Sequence, residues 1–224
     1  MTNDRTVKDA LNGQFARIGK ALASPRRIEL LDLLGQGERS VDALAAETEM
    51  SIALTSAHLR VLRGVRLVAT RREGSWIFYR LADDEVYRML SSLRDVARAQ
   101  LGKVRITVAT YLTARDRLEP LSRAELIERA KAGDVVVLDV RPRSEYAAGH
   151  IPGALSMPLA ELEARLAELP ADAEIVAYCR GPFCLYAPTA VGILQQRGYR
   201  ARRLIDGFPE WRLAGLPIAT HPGT

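Results

Sequence analysis

Apolar positions in the first half of the chain recur at helical spacing. Val7, Leu11, Phe15, Ile18 and Leu22 form one stripe and predict an amphipathic helix over Thr6–Leu22. Ser24-Pro25 reads as an N-cap with proline at the first helical position, opening a helix over Arg26–Leu34 that Gly35 ends. Ser40 caps a short helix, Val41–Glu47; Glu49-Met50 forms a tight connection, and Ser51 caps Ile52–Arg63. The period then switches to two: Leu67–Arg71 and Ser75–Leu81 alternate about a turn at Arg72-Glu73-Gly74, predicting a hairpin with Arg71 and Arg72 at its tip. Asp84–Leu112 returns to helical spacing through Val86, Met89, Leu90, Leu93, Val96, Ala97 and Leu101. Two short helices, a brief turn and a basic hairpin make a winged helix-turn-helix.

The second half reads differently. Leu121–Ala132 is helical and stopped by Gly133, and Val135–Val140 is a continuous β-branched run suited to a strand buried on both faces. Leu159–Leu169 is helical up to Pro170, Ile175–Tyr178 is a strand, Tyr186–Arg197 a helix and Ala201–Leu204 a strand. Strands alternating with helices predict a small parallel α/β sheet. The expected organisation is multi-domain: a mainly α winged helix over 1–113, a linker over 114–120 and an α/β domain over 121–220.

Charge separates the halves. Met1–Arg117 holds 20 Lys/Arg against 14 Asp/Glu, about +6, whereas Leu118–Thr224 holds 12 against 13, about −1. On the helix after Ser51, Thr55, Leu59 and Leu62 share one face, while Ser56, Arg60 and Arg63 line another. The second row is a solvated basic face or a recognition surface whose guanidinium groups reach phosphates and base edges. The start, Met1-Thr-Asn-Asp-Arg, has no apolar signal core and no run reaches membrane-spanning length, so a cytoplasmic protein with no membrane partner is expected.

The runs S-A-H-L-R-V-L (Ser56–Leu62) and L-V-A-T-R-R-E-G-S-W-I-F-Y-R-L (Leu67–Leu81) resemble the ArsR/SmtB family of winged-helix repressors, over roughly Thr6–Leu112. The resemblance implies a homodimer joined through its first and last helices, reading an inverted-repeat operator in double-stranded DNA. It assigns DNA contacts to Ser51, Ser56, His58, Arg60, Arg63, Arg71 and Arg72. This chain departs from the pattern in two ways. Arg66 stands where many members carry glycine before the wing, with Gly64 available to end the helix instead. The metal ligands of the family's sensors are missing: Val41–Leu54 has no Cys or His, Asp83–Arg117 has no His, and His58, His150 and His221 show no ligand spacing. No metal site and no cofactor are expected.

Both cysteines lie in one loop, V-A-Y-C-R-G-P-F-C-L-Y (Val176–Tyr186), where a strand delivers Cys179 into a Gly-Pro turn before a helix. A spacing this short argues against a disulfide framework. Arg180 and the amides of a turn and helix start can converge on the sulfur and favour its thiolate. With L-D-V-R-P-R-S-E-Y-A-A-G-H-I-P-G-A-L-S-M-P-L (Leu138–Leu159) and D-G-F-P-E-W-R-L-A-G-L-P-I (Asp206–Ile218), the loop resembles a single-domain rhodanese over about Leu121–Ile218. That resemblance makes Cys179 the catalytic residue, taking sulfane sulfur from a donor as a persulfide and passing it to a thiol acceptor. Arg180, Gly181, Pro182, Phe183 and Cys184 form the active-site loop. Asp139, Arg141, Glu145 and His150 are read as ion pairs and turns that hold the fold. Phosphatases and arsenate reductases of a related fold need Arg six residues after the cysteine, where Leu185 stands. Cys184 is either a small buried residue at the helix start or a second thiol able to resolve the persulfide.

Together these features predict a DNA-binding regulator, a repressor by the family's usual sign, whose rhodanese domain senses or transfers sulfane sulfur. Two other readings share the same features: a sulfurtransferase fused to a DNA-binding domain without coupling, and a repressor with an inactive rhodanese interaction module.

Overall fold

The computed structural model describes residues 4–112, 118–170 and 172–220. Two compact units divide the chain, Met1–Ser92 and Leu93–Thr224, each with its own core. Of the expected connecting segment at 114–120, residues 114–117 lie outside the described residues, as does His221. No helix among the described residues is long and apolar enough to cross a membrane.

The first unit runs α1 (Asp4–Leu22), α2 (Pro25–Gln36), β1 (Arg39–Ser40), α3 (Val41–Glu47), α4 (Ile52–Gly64), β2 (Val68–Glu73) and β3 (Trp76–Leu81). It ends in the first half of α5 (Asp84–Gln100). Short polar caps start the two central helices: Ser40 Oγ accepts from Ala43 N–H and Ser51 Oγ from Leu54 N–H, each at 3.2 Å. Ser24 occupies the N-cap of α2, but its side chain makes no capping bond; Pro25 alone marks the start. Leu30, Leu31, Leu44, Leu59, Leu62 and Leu90 are fully buried, so the apolar faces of α2, α3, α4 and α5 meet in one core. The sheet order is β1-β3-β2, antiparallel throughout.

Two local expectations are corrected here. Gly35 does not end α2, which continues to Gln36. Glycine is there because the Tyr87 ring lies on it, and a Cβ would stand 2.4 Å from that ring. The wing turn is the pair Gly74-Ser75, with Gly74 at φ 59°, so Arg71 and Arg72 lie within β2, opposite Phe78 and Ile77. Arg66 itself takes the left-handed conformation, φ 60°, at the position where the family resemblance expects glycine. Helix α4 does end at Gly64.

The second unit comprises the rest of α5, α6 (Gly102–Tyr111), α7 (Arg123–Ala132), β4 (Val135–Asp139), α8 (Arg143–Ala148) and β5 (Leu155–Ser156). A 3₁₀ helix (Glu163–Glu168), β6 (Glu174–Tyr178), α9 (Tyr186–Gln196), β7 (Arg200–Arg203) and α10 (Phe208–Leu213) follow. The helix expected over Asp84–Leu112 is broken where Leu101 becomes extended (φ −98°, ψ 106°) and Gly102 opens a new one. Of the stretch expected to be helical over Leu159–Leu169, only Glu163–Glu168 is helical, as 3₁₀; α8, β1 and β5 are too short to show a period in the sequence. A capping box joins Ser122 and Glu125 at the start of α7, and Gly133 closes that helix at φ 77°.

Four parallel strands stand in the order β5-β4-β6-β7. The chain turns one way from β4 to β5 and the other way to β6, so the switch point lies between β4 and β6. Cys179 follows β6 directly, at the carboxyl edge beside that switch. One apolar cluster, with Leu138, Ile175, Ala177, Val191 and Leu194, fills one face of the sheet. Another, with Leu121, Leu126, Val176, Phe208 and Trp211, fills the other.

The Gly35 contact yields the first prediction. Gly35→Ala forces the Tyr87 ring out of place and destabilises the protein by about 1–3 kcal/mol, the usual penalty of overpacking. Gly64→Ala meets nothing within 4 Å and serves as the neutral or slightly stabilising control; chemical denaturation of both variants measures the difference.

Candidate functional site

Cys179 sits on the floor of the loop between β6 and α9, nearly sealed from solvent, with Cys184 half-buried above it; both are free thiols. A turn in which Cys184 N–H donates to the Gly181 carbonyl (3.1 Å) folds position 184 back toward 179. The Cys184 carbonyl oxygen comes to 3.9 Å from Cys179 Sγ. Cys179 Sγ also lies 3.9 Å from the Gly181 carbonyl oxygen, and Tyr186 N–H is directed at Cys184 Sγ at 3.5 Å. The chain thus builds the concave array of N–H donors that its Gly-Pro turn suggested.

The pair does not share its proton evenly. Burial pushes the Cys179 thiol well up, against the pull of the Ala187 and Gly181 amides. Cys184 is lowered to about 7 by the hydrogen bond from Cys179, the Tyr186 and Arg180 amides and the Arg180 charge. Burial thus favours the thiol form of Cys179, while the surroundings of the shallower Cys184 favour its thiolate. The sequence reading places the thiolate on Cys179; Cys184, five residues on, is the less buried of the two.

Buried charge braces the loop from below. Arg141, fully buried, binds Asp139 (2.7 Å) and the Gly149 carbonyl (2.7 Å), and its guanidinium lies over the Phe208 ring at 4.4 Å. Glu145, on α8, stands 4.0 Å from Arg141 and holds Arg180 at 2.6 and 2.9 Å. The Arg180 guanidinium also stacks over Tyr186. It therefore reaches the sulfurs through charge and amide while its side chain is spent on Glu145. A second brace comes from Gly207: a Cβ there would meet Gly181 N at 2.2 Å, and the next residue, Phe208, donates its N–H to the Cys179 carbonyl. Glu145, expected from the sequence to form ion pairs that hold the fold, does so with Arg180, whereas Gly207 lies far from the loop in sequence and is not expected there. Their signal was present in the S-E-Y and D-G-F-P stretches. His150 is buried, stacked on Tyr146 at 3.7 Å with Nδ1 on the Tyr146 carbonyl.

In the first unit, Thr55, Leu59 and Leu62 face the core, as their spacing requires. Arg60 and Arg63 project from α4 into solvent, Ser56 and His58 are half-buried beside them, and Ser51 spends its hydroxyl on the helix cap. Among the described residues neither Arg60 nor Arg63 has a carboxylate partner. Arg71 differs. Its guanidinium binds Glu38 at 2.6 Å and Glu73 at 2.6 Å and lies over Phe78. Arg72 is exposed and donates to the Gly74 carbonyl.

The two units thus define a winged helix-turn-helix module and a rhodanese-like α/β module in one chain. The model of the bacterial regulatory protein arsR family matches residues 24–70, and that of the rhodanese-like domain matches residues 122–214. The HTH-type transcriptional regulator Rv0324 of Mycobacterium tuberculosis is 49% identical over 97% of this chain and 96% of its own length. A sulfurtransferase of Allochromatium vinosum is 38% identical over 42% of this chain and 87% of its own. Among solved structures, the homodimeric winged helix-turn-helix DNA-binding domain of Mb0332 from Mycobacterium bovis is 45% identical. It covers 46% of this chain and 94% of its own, at a TM-score of 0.42. The chain belongs to the ArsR family of transcriptional regulators and carries a rhodanese-like domain.

The asymmetry of the thiol pair is directly measurable. Alkylation of Cys184 by iodoacetamide rises with pH through a midpoint of about 7, because the thiolate is the reacting form. Cys179 stays largely unlabelled over the same range. Peptide mapping after timed quenching reads both, and faster labelling of Cys179 would reverse the assignment.

Proposed function

We propose that the chain is a cytoplasmic, homodimeric repressor of double-stranded DNA whose rhodanese-like domain takes sulfane sulfur on Cys179 and passes it to a thiol acceptor. The sulfur state of the loop changes affinity for an inverted-repeat operator. The observation that carries this reading is the presence in one chain of an unpaired arginine row on α4 and an amide-lined loop holding two thiols. The DNA-binding and dimerisation domain is taken to end near residue 113 and the rhodanese-like domain to begin at 121.

Chemistry in the loop follows from the shared proton. Cys179 attacks the sulfane sulfur of the donor as its proton passes to the Cys184 thiolate; the donor S–S bond breaks, and the remainder of the donor leaves with the bonding pair. The persulfide anion that forms lies among the amides already directed at the sulfurs. Gly181, Pro182 and Phe183 shape the loop mouth, and Arg180 holds it to Glu145. The same resemblance that gave the regulator its operator gives it a dimer. Support for the dimer comes from α1, where Val7, Leu11 and Phe15 are 46%, 51% and 68% exposed. Covering side chains that are about half exposed is worth roughly half of the ~1.5–3 kcal/mol that full burial brings to each.

On the DNA side, Arg60 and Arg63 are free to meet phosphate or guanine edges, with Ser56, His58 and the Ser51 cap near the groove and Arg72 near the backbone. Arg71 must first exchange Glu38 and Glu73 for phosphate, so it contributes less than Arg60.

The test is binding to DNA from the chain's own promoter region, by anisotropy, with reduced and polysulfide-treated protein. Coupling of ordinary size changes affinity by about 5- to 150-fold, and Cys179→Ser abolishes the change. Arg60→Ala weakens binding in both states and lowers the salt slope by about one, with sulfur uptake intact. Affinity indifferent to polysulfide, in protein that still takes up sulfur, would leave a sulfurtransferase merely fused to a regulator. Failure to take up sulfur would leave the rhodanese fold as an interaction module.

A further inference from the structure

A persulfide on Cys179 would form directly beneath a second thiol, and that placement has a chemical consequence. We propose that Cys184 discharges the Cys179 persulfide within the loop: Cys184 Sγ attacks Cys179 Sγ, the persulfide S–S bond breaks, hydrosulfide leaves, and a Cys179–Cys184 disulfide remains. This rests on the reading of Cys179 as the sulfur acceptor. It deepens that reading by making the domain a reductase of sulfane sulfur rather than only a carrier.

Three observations favour this route. First, Cys179 Sγ is buried and the turn from Gly181 to Cys184 covers it, so an external thiol reaches the outer persulfide sulfur before the inner one. Cys184 is the residue folded over the inner sulfur, its carbonyl oxygen 3.9 Å from Cys179 Sγ. Second, Cys184 leaves the loading step carrying the Cys179 proton, and the Tyr186 amide and Arg180 favour its thiolate as that proton passes to the departing sulfur. Third, the leaving groups differ. Attack on the outer sulfur would expel the Cys179 thiolate, which burial makes a poor leaving group, whereas attack on Cys179 Sγ expels hydrosulfide, the conjugate base of a stronger acid.

The step balances. The sulfane sulfur gains two electrons and departs as HS⁻ with the proton that Cys184 took during loading, while the two cysteine sulfurs lose two electrons in joining. Each turnover therefore leaves an oxidised loop, which a thiol or dithiol reductant must reopen. An oxidised loop can no longer share a proton or hold a thiolate beside Arg180, so it differs from the resting loop by one negative charge.

The experiment uses the full-length, fully reduced protein, without air or added thiol, and inorganic thiosulfate, which leaves sulfite and cannot itself supply sulfide. The expected result is about one hydrosulfide per chain, a non-reduced mass lower by two hydrogens, and a linked Cys179–Cys184 peptide. Cys184→Ser, which lacks the group that takes the Cys179 proton, is expected to release sulfite more slowly; once loaded it holds one sulfur on Cys179 and gives at least about ten-fold less hydrosulfide per sulfite released until a thiol is added. Sulfite release by the variant also shows that its loop is folded and loaded. Wild-type protein that keeps the persulfide and releases no more hydrosulfide than Cys184→Ser overturns the inference while Cys179 stands as acceptor. Release of sulfite by neither protein removes Cys179 as acceptor, and the inference with it.

Discussion

A fully buried guanidinium governs the geometry of the cysteine loop. Placing Arg141 out of water is costly, several kcal/mol even after relaxation, and the charge is tolerated only because its surroundings answer it at every edge. Asp139, two residues earlier at the end of β4, accepts from the side chain and the backbone N–H of Arg141; the Gly149 carbonyl accepts from another edge; Phe208 covers a face. Tyr178, the last residue of β6, gives its hydroxyl to Asp139. The Tyr178 hydroxyl also accepts from Ile151 N–H at 3.1 Å. Two strands, one loop and the start of α10 are therefore registered against a single charge. The next residue along the chain from Tyr178 is Cys179, so the sulfur inherits that position. Such pairs add little net stability compared with an apolar replacement; what this one does is restrict the loop to a single arrangement.

The same network decides how charge is shared above it. Were Arg180 free, its guanidinium would lie in solvent, screened and remote from either sulfur. Glu145, itself 4.0 Å from Arg141, holds Arg180 against the loop, where Tyr186 receives its face. Glu145 also cancels part of the charge it positions, which leaves backbone amides as the principal stabilisers of sulfur anions here. Desolvation acts most strongly on the deeper sulfur, which raises Cys179, while the Tyr186 amide and Arg180 lower the shallower Cys184.

Local pattern was readable in the sequence, and pairing across distance was not. The stripe of α1, the Ser40 and Ser51 caps, the β-branched run of β4 and the order of strands and helices follow from neighbours within a turn or two. Gly35 failed as a terminator because its reason is a tyrosine 52 positions away. Arg71 looked like a free cation at a turn; Glu38, 33 residues earlier, neutralises it across the sheet edge. Arg180 looked like the partner of the adjacent cysteine, and its actual partner is Glu145, 35 residues back. Leu101 shows the limit within a helix, since a continuous apolar period survives a break that one extended residue introduces. In the candidate site the cysteines were plain, whereas the division of charge between them required their relative depth.

Regulation by this chain, if the sulfur state of the loop biases operator affinity, is bound by reciprocity. A persulfide or disulfide that weakens DNA binding by a given factor must itself be disfavoured by DNA to the same factor. Operator-bound chains would then resist sulfur loading, and loading would proceed first on free protein. The loop supplies a discrete change for such coupling, the loss of one negative charge beside a guanidinium already fixed to a buried carboxylate. With Arg180 tied to Glu145, and Glu145 beside Arg141, the change cannot be absorbed by a side chain drifting into solvent. It must be answered by the backbone that carries the sulfurs, including the α10 start packed on Gly181 through Gly207.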